Sequence, residues 1–202
     1  MFRLIKIVFN AFLLVLAIIG FNAIGGQKYI ETAKHHITTF IQEKAEESAK
    51  KLGNFSNIHE EFEIDNTVNL LGYRAVIAQL NAPGQNMCII DSKKKPLLSS
   101  TDIKSNDLEQ QLQDLANKFK YQAVSVHEIK ITSRGNLNIY GQNVPYAKFE
   151  AKANKLPFSD LAGILASVKT SDGSEKLAIS INEKKKYSQL IADDFFKDVK
   201  EK

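Results

Sequence analysis

The sequence predicts an α+β fold, in which an antiparallel sheet is covered by helices and preceded by one N-terminal transmembrane helix and an amphipathic stalk helix. Three observations predict it: an apolar stretch near the start, short alternating segments joined by tight turns, and helical apolar spacing around those segments. Strands joined by tight turns pair antiparallel, and helices cover the apolar face of such a sheet. The predicted division is a signal anchor at 1–27, a juxtamembrane helix at 28–53 and an extracytoplasmic domain at 54–202.

The apolar stretch at 7–24 is long enough to cross a bilayer. About 18 helical residues rising ~1.5 Å each span roughly 27 Å, close to the hydrocarbon thickness of a membrane. Arg3 and Lys6 precede the stretch, which favours a cytoplasmic N-terminus and export of the remaining chain. A cleaved signal peptide is the alternative, although its apolar core is usually shorter. We therefore expect an uncleaved anchor, with a cleaved and secreted domain as the second interpretation.

The stalk helix is predicted from apolar residues that recur at three- and four-residue steps, the spacing of one helix face. These residues are Ile30, Ala33, Ile37, Phe40, Ile41, Ala45, Ala49 and Leu52. Gly53 and Asn54 favour the end of the helix. The apolar stripe can pack on the following domain, pair with a second copy or lie on the lipid surface, and the sequence leaves these three alternatives open.

The first strands are predicted downstream of Phe55. Phe62, Ile64 and Val68 indicate the start of a sheet. The segment 72–80 has strand character, the Pro-Gly sequence within 81–84 favours a turn, and 86–91 is the expected hairpin partner.

A helix is predicted after Asn106, which can cap it, with Glu109 three residues later as in a capping box. One apolar face is formed by Leu108, Leu112, Leu115 and Phe119. The serine-rich segment 99–102 before this helix is predicted to be a loop. Its serines lack the G-x-S-x-G pattern of a nucleophile elbow.

The second half of the chain alternates between apolar and polar residues. The alternation changes parity between Val126 and Ile129, which predicts a β-bulge near His127 and Glu128. Gly135-Asn136 is predicted to be a turn, Leu137 and Ile139 then alternate up to Gly141, and both glycines are interpreted as hairpin glycines. The clearest strand follows, with alanines and Phe149 on one face and charged residues on the other.

The last elements are a hairpin and a helix. Pro157 and Gly163 are expected to interrupt the sheet, and 164–170 is predicted to pair with 176–182 across the Asp172-Gly173 turn. The C-terminal amphipathic helix is marked by Tyr187, Leu190, Ile191, Phe195 and Val199.

The order of elements from Asn106 onward resembles the α/β sandwich shared by PsbP-like extrinsic photosystem proteins and DcrB-like bacterial envelope proteins. The resemblance covers roughly the C-terminal half. It rests on the helix ending at Phe119, the strand at 144–149, the Asp172-Gly173 hairpin, and Tyr187 leading into Phe195-Phe196. It implies a non-enzymatic accessory or assembly role at a membrane.

Composition restricts the classes of function. Of 27 basic side chains, 25 remain once Arg3 and Lys6 are set aside, against 23 acidic ones, so the exported part is nearly neutral. Nucleic acid is therefore not an expected partner. The single cysteine, Cys88, rules out an intramolecular disulfide and is expected to be a small buried hydrophobe. No catalytic, metal-binding or cofactor-binding motif stands out, so no cofactor and no enzymatic activity are expected.

Two groups of residues are candidates for binding. The lysine runs at Lys93, Lys94 and Lys95 and at Lys184, Lys185 and Lys186 are expected to be solvated, with binding to anionic surfaces as the alternative. A ligand pocket is the second candidate, lined by Tyr73, Tyr121, Tyr140 and Tyr146.

The sequence thus favours a single-pass membrane protein, held in the bilayer by its N-terminal helix, whose domain binds a protein partner at the membrane. A small-ligand binder for lipid or sugar is the alternative, and a hydrolase with an unrecognised site ranks third. The usage of Lys, Asn and Ile indicates a bacterial source.

Overall fold

The computed structural model describes residues 47–70, 73–80, 84–92, 96–117, 125–154 and 159–202. Within these ranges the strands are β1 (Phe62–Leu70), β2 (Tyr73–Leu80), β3 (Asn86–Ser92), β4 (Ser125–Ile139), β5 (Gln142–Asn154), β6 (Asp160–Lys169) and β7 (Glu175–Glu183). The helices are α1 (Ser100–Lys104), α2 (Leu108–Asn117) and α3 (Gln189–Asp198). A further helical turn covers 47–49.

The strands form one antiparallel sheet in the order β1-β2-β3-β7-β6-β5-β4. The chain leaves β3 through α1 and α2 to the far edge at β4, and then returns strand by strand until β7 pairs with β3. The predicted antiparallel sheet is confirmed. Both predicted hairpins are also confirmed, with Ala75 opposite Ile90 and Leu165 opposite Ile179.

Each face of the sheet buries apolar side chains beneath helices. On the α1–α2 face, Ile103 and Leu108 pack on a layer that includes Ile77, Cys88, Ile90, Phe149, Leu165, Leu177 and Ile179. On the α3 face, Phe195 and Phe196 pack on a layer that includes Val76, Met87, Ile89, Ile164, Ala166, Val168 and Ala178. The alternating strand pattern supplies both layers, since successive side chains point to opposite faces.

The N-terminal segment also packs on the α3 face. Ala49 and Leu52 belong to its core cluster, and each is 1% exposed. The last two residues of the predicted stalk stripe therefore lie on the domain. The rest of that stripe and the predicted anchor lie outside the described residues. No helix in the described ranges is both long enough and apolar enough to span a membrane.

The predicted turn at Gly135-Asn136 is wrong, because β4 continues through it to Ile139. The chain reverses at Tyr140 and Gly141, whose φ angles are 54° and 71°. Gly135 lies instead opposite Tyr146 in the β4–β5 register. A Cβ atom there would lie 2.8 Å from the Tyr146 ring, so this glycine makes room for an aromatic side chain.

The expected interruption at Gly163 is also wrong, since this residue lies inside β6. A Cβ atom at Gly163 would lie 2.3 Å from the Ser180 carbonyl oxygen and 2.8 Å from the Phe149 ring. The glycine therefore permits close approach of a ring and a neighbouring strand. Pro157 lies outside the described residues.

Two further predictions about local structure are corrected. Leu190 was expected on the buried stripe of the C-terminal helix but is 74% exposed. At 3.6 residues per turn, the buried Ala192, Phe195 and Phe196 lie about 140° to 240° around the helix from it. The segment 99–102 is not a loop, because Ser99 caps α1 and exchanges capping-box bonds with Asp102.

The helix predicted after Asn106 is confirmed as α2, but Glu109 has a different role. Its carboxylate accepts a hydrogen bond from the Ile131 backbone N–H at 2.6 Å, and Gln113 accepts one from Ile129. These contacts tie α2 to β4 at the predicted bulge. The bulge itself is confirmed by the register shift after His127 and by the φ of 50° at Glu128.

Candidate functional site

Residues 47–61, here named the strap, cross the α3 face before the chain enters the sheet at β1. Leu52 is buried in its core, and the Phe55 ring lies 6.4 Å from the Phe195 ring. Asn54 forms an antiparallel bridge with Lys200, through N–H···O bonds of 2.8 and 3.0 Å. The strap is thus held to the C-terminal tail as well as to α3.

The Leu52 carbonyl is held by the side chains of Tyr140, in the turn between β4 and β5, and of Lys176, in β7, and these three groups are here named the latch. Its oxygen accepts hydrogen bonds from the Tyr140 hydroxyl at 2.5 Å and from Lys176 Nζ at 3.1 Å. Lys176 Nζ also lies 5.0 Å from the centre of the Tyr140 ring. Lys176 is only 6% exposed, so these contacts replace water around a buried ammonium group.

Lys176 belongs to a row of charges that crosses three neighbouring strands. Arg74 in β2 lies opposite Asp91 in β3, and Asp91 lies opposite Lys176 in β7. Arg74 and Asp91 form an ion pair with a 2.6 Å separation between Nη2 and Oδ2. Opposite charges on directly facing positions stabilise a sheet. Here the carboxylate of Asp91 lies between the cations Arg74 and Lys176 on three neighbouring strands.

Burial shifts the pKa values of the two latch side chains, Lys176 and Tyr140. Desolvation lowers the pKa of Lys176, while the negative charges of Asp91, Asp172 and Glu201 oppose that shift. Desolvation raises the pKa of Tyr140 well above its ordinary value, and Asp91 adds to the effect. The Tyr140 phenol is therefore a neutral hydrogen-bond donor at physiological pH.

Tyr140 adopts a backbone conformation that bulky residues rarely adopt. Its φ of 54° lies in the left-handed region, which costs an L-residue roughly 1–2 kcal/mol. Its N–H donates to the Val199 carbonyl at 3.2 Å, and its hydroxyl donates to Leu52. Contacts with the strap and the C-terminal tail thus hold the strained residue in place.

A cleft of about 440 Å³ lies between the strap and β1. It is lined by Ala49, Lys50, Asn54, Phe55, Ser56, Ile58, Phe62, Glu63 and Ile64. Apolar side chains form much of the lining, and one cation, one carboxylate and two uncharged polar side chains lie among them. Small-molecule sites of roughly 300–1,000 Å³ share this mixture of apolar walls and a few polar groups.

The structure separates the tyrosines of the predicted pocket. Tyr140 is buried in the latch, and Tyr146 packs on the α3 face against Gly135. Tyr73 begins β2, which is four inter-strand steps of about 4.8 Å, or roughly 19 Å, from β5. Tyr121 lies outside the described residues. Neither Tyr140 nor Tyr146 lines the cleft.

The lysine run after β7 is largely neutralised by nearby carboxylates. Lys184 lies 2.6 Å from Glu150, and Lys186 lies 2.8 Å from Glu183. Lys185 is exposed between them. Lys93, Lys94 and Lys95 lie outside the described residues.

Cys88 is 3% exposed, as expected of a small buried hydrophobe, and burial strongly raises the pKa of its thiol. Among the residues that the structure describes, no cluster of three or more His, Cys, Asp or Glu side chains is arranged to hold a metal ion.

Sequence analysis did not identify the charge row, the latch or the cleft. The β2–β3 hairpin pairs Arg74 with Asp91, and the pairing of β3 with the distant β7 adds Lys176. The signal present in the sequence is a lysine directly before the regular apolar repeat of β7.

No protein-family model matches the chain, and no curated protein matches it.

The turn beside Lys176 gives a pH-dependent contribution to stability. Hydrogen bonds from the backbone and hydroxyl of Ser174 and from Thr170 lower the pKa of Asp172 to about 2. The unfolded value is about 3.9, so the unfolded chain binds more protons between these values. The stabilising contribution is therefore present above about pH 4 and is lost as the pH falls toward 2.

We expect Asp172→Asn to flatten the dependence of the melting temperature on pH between about pH 4 and 2. The amide can still accept hydrogen bonds but does not titrate. Asp194→Asn, at an exposed position of α3, is the control and should leave the profile unchanged. Equal acid sensitivity of Asp172→Asn and the unmodified protein would contradict this assignment.

Proposed function

We propose that the chain is a single-pass membrane protein whose extracytoplasmic α+β domain binds a protein partner without catalysing a reaction. The observation that supports this proposal is the cleft between the strap and β1. One wall of the cleft is formed by the end of the predicted stalk and the residues after it, so a partner bound there would lie next to the predicted attachment to the membrane. The apolar stretch at 7–24 and the resemblance to envelope and photosystem accessory proteins support the same location.

The lining of the cleft suits a peptide or protein surface. Phe55, Phe62 and Ile58 offer aromatic and aliphatic contacts, while Lys50 and Glu63 can each pair with a charge on the partner. Interfaces of this kind combine an apolar centre with a polar rim. The wall opposite the strap is part of β1, which pairs with β2 in the antiparallel sheet, so a regular strand supports this side of the site.

The location is tested with reporters fused after Lys202. A phosphatase that folds only outside the cytoplasm should be active when fused there. A fluorescent protein that folds only in the cytoplasm should not fluoresce in the corresponding fusion. Removal of residues 1–26 should abolish the phosphatase activity. A bright fluorescent fusion together with an inactive phosphatase would contradict an extracytoplasmic domain.

The cleft is tested with a photo-cross-linking amino acid at Glu63, in the full chain in native membranes. We expect one adduct of defined size, reduced at least tenfold by Ile58→Asp in the opposite wall. Leu190→Asp, which places the same charge at the exposed position on α3, should leave the yield unchanged. A probe at the exposed Thr132 of β4 is the positional control. Equal adducts from Glu63 and Thr132 would contradict the proposed site.

The volume of the cleft also favours a second candidate function, the binding of a small lipid or sugar. A ligand present at about 100 times its dissociation constant stabilises the folded protein by about 2.7 kcal/mol. A thermal-shift screen with defined phospholipids and sugars separates the two functions. A shift that Ile58→Asp abolishes supports the small ligand, whereas a Glu63 adduct without any shift supports the protein partner.

A further inference from the structure

We propose that the strap is a hinged element that leaves the α3 face as a unit, with the latch as its fastening, and that its docking is coupled to occupation of the cleft. The inference rests on the proposed function only where it invokes a bound partner. The docking and release of the strap stand on contacts within the chain itself.

The strap is held by buried apolar side chains and by few backbone hydrogen bonds. Ala49, Leu52 and Phe55 are buried in the α3-face cluster. Its regular structure in the described residues is one helical turn, and the backbone hydrogen bonds that join it to the rest of the described domain are those of the Asn54–Lys200 bridge and the Leu52 carbonyl. The strands beneath it are joined by continuous ladders, such as the nine residue pairs between β6 and β7. A segment with few attachments opens at lower free energy than the sheet that supports it.

The latch concentrates specific interactions on a single strap atom. A neutral phenol and an ammonium group converge on the Leu52 oxygen, and the donors lie outside the strap, in the β4–β5 turn and in β7. Release of Leu52 leaves Lys176 beneath the surface with one fewer acceptor, and it frees Tyr140 from the contact that opposes its backbone strain. The docked and released states are therefore discrete, since each donor is either bonded or unbonded.

The cleft exists only while the strap is docked. Six of its nine lining residues belong to the strap, and the other three belong to β1. A partner that contacts both walls binds the docked state, and by linkage it shifts the strap toward docking. Occupation of the cleft thus fixes the position of the strap, which includes the end of the predicted stalk.

The test is hydrogen exchange measured by mass spectrometry on the full chain in detergent micelles. In the unmodified protein we expect the strap amides to exchange together, at least about tenfold faster than the amides of β7. Tyr140→Phe removes one hydroxyl and should accelerate exchange in the strap about fivefold, the effect of one buried hydrogen bond, with β7 unchanged. Tyr146→Phe is the matched control and should leave exchange in the strap unchanged.

Lys176→Met provides a second variant, because it removes the charged donor of the latch. We expect a gain of about tenfold or more in exchange of the strap relative to β7 in the same sample. Strap amides that exchange in step with β7 in the unmodified protein would overturn the proposal. So would equal effects of Tyr140→Phe and Tyr146→Phe.

The coupling between docking of the strap and occupation of the cleft is measured separately, from the yield of the Glu63 cross-link. Tyr140→Phe should lower this yield severalfold if docking of the strap and occupation of the cleft are linked, and an unchanged yield would overturn the coupling. Hydrogen exchange is measured with no partner present. It therefore tests release of the strap independently of whether a partner binds in the cleft. An absent Glu63 adduct in the unmodified protein counts against the proposed function alone.

Discussion

Phe195→Ala should lower the free energy of unfolding by about 3–5 kcal/mol, the cost of removing a large side chain from a closed core. The Phe195 ring is 1% exposed and lies 5.1 Å from the Phe62 ring and 5.2 Å from the Phe196 ring. It also contacts Phe55, so it joins α3 to β1 and to the strap at once. A domain is typically stable by only about 5–15 kcal/mol, so this single change removes a large share.

The measurement is thermal and urea unfolding of the full chain in mild detergent, followed by circular dichroism. Leu190→Ala is the control on the same helix, and at 74% exposure it should change stability by less than about 0.5 kcal/mol. A loss at Leu190 equal to that at Phe195 would show that the buried face of α3 has been assigned incorrectly.

Gly163→Ala should cost about 3 kcal/mol, the upper end of the usual range for overpacking a well-packed core. The new methyl group would lie 2.3 Å from the Ser180 carbonyl oxygen, a backbone atom of the neighbouring strand. Ser180 is held in register by Ile164 on one side and by Met87 on the other. The strand cannot move away without breaking ladder hydrogen bonds, so the strain cannot be relieved locally.

Gly135→Ala is the matched comparison, because the three atoms nearest to its Cβ would all belong to the Tyr146 side chain. A side chain can rotate where a strand cannot, so we expect a smaller loss of about 1 kcal/mol. Urea midpoints of the two variants give the comparison directly. A Gly135→Ala variant less stable than Gly163→Ala would contradict the assignment of the 2.3 Å contact as the dominant clash.

Elements of the fold were predictable from sequence where residues close together in the chain determine them. The hairpins β2–β3 and β6–β7 and helix α2 were predicted, because alternation, turn residues and helical spacing are encoded by neighbouring residues. Gly135 and Gly163 were misjudged as breaks, since glycine at a tight contact and glycine at a turn look the same in one sequence. The prediction of a hairpin glycine at Gly141 is confirmed by its φ of 71°, whereas the positive φ of Tyr140 has no signal in the sequence, because tyrosine rarely adopts it.

The candidate site depended almost entirely on tertiary structure. The predicted tyrosine pocket grouped residues of one chemical type, but the strand order separates Tyr73 from Tyr146 by the width of three intervening strands. The sequence does not distinguish Lys176 from other lysines, because its contacts with Leu52 and Tyr140 join segments that are distant in the chain. The cleft lies between two segments that are close in sequence, yet the apolar pattern of Phe55, Ile58 and Phe62 does not indicate whether such residues close together or leave a space.

Two-residue and 3.6-residue periods in the chain select the faces that must be buried, and they were sufficient to predict an antiparallel sheet covered by helices. The position of β7 beside β3, which adds Lys176 to the charge row and places it within reach of Leu52, followed only from the folded domain. Periodicity specifies which face of a strand is buried, whereas the choice of a distant neighbour depends on the packing of the whole domain.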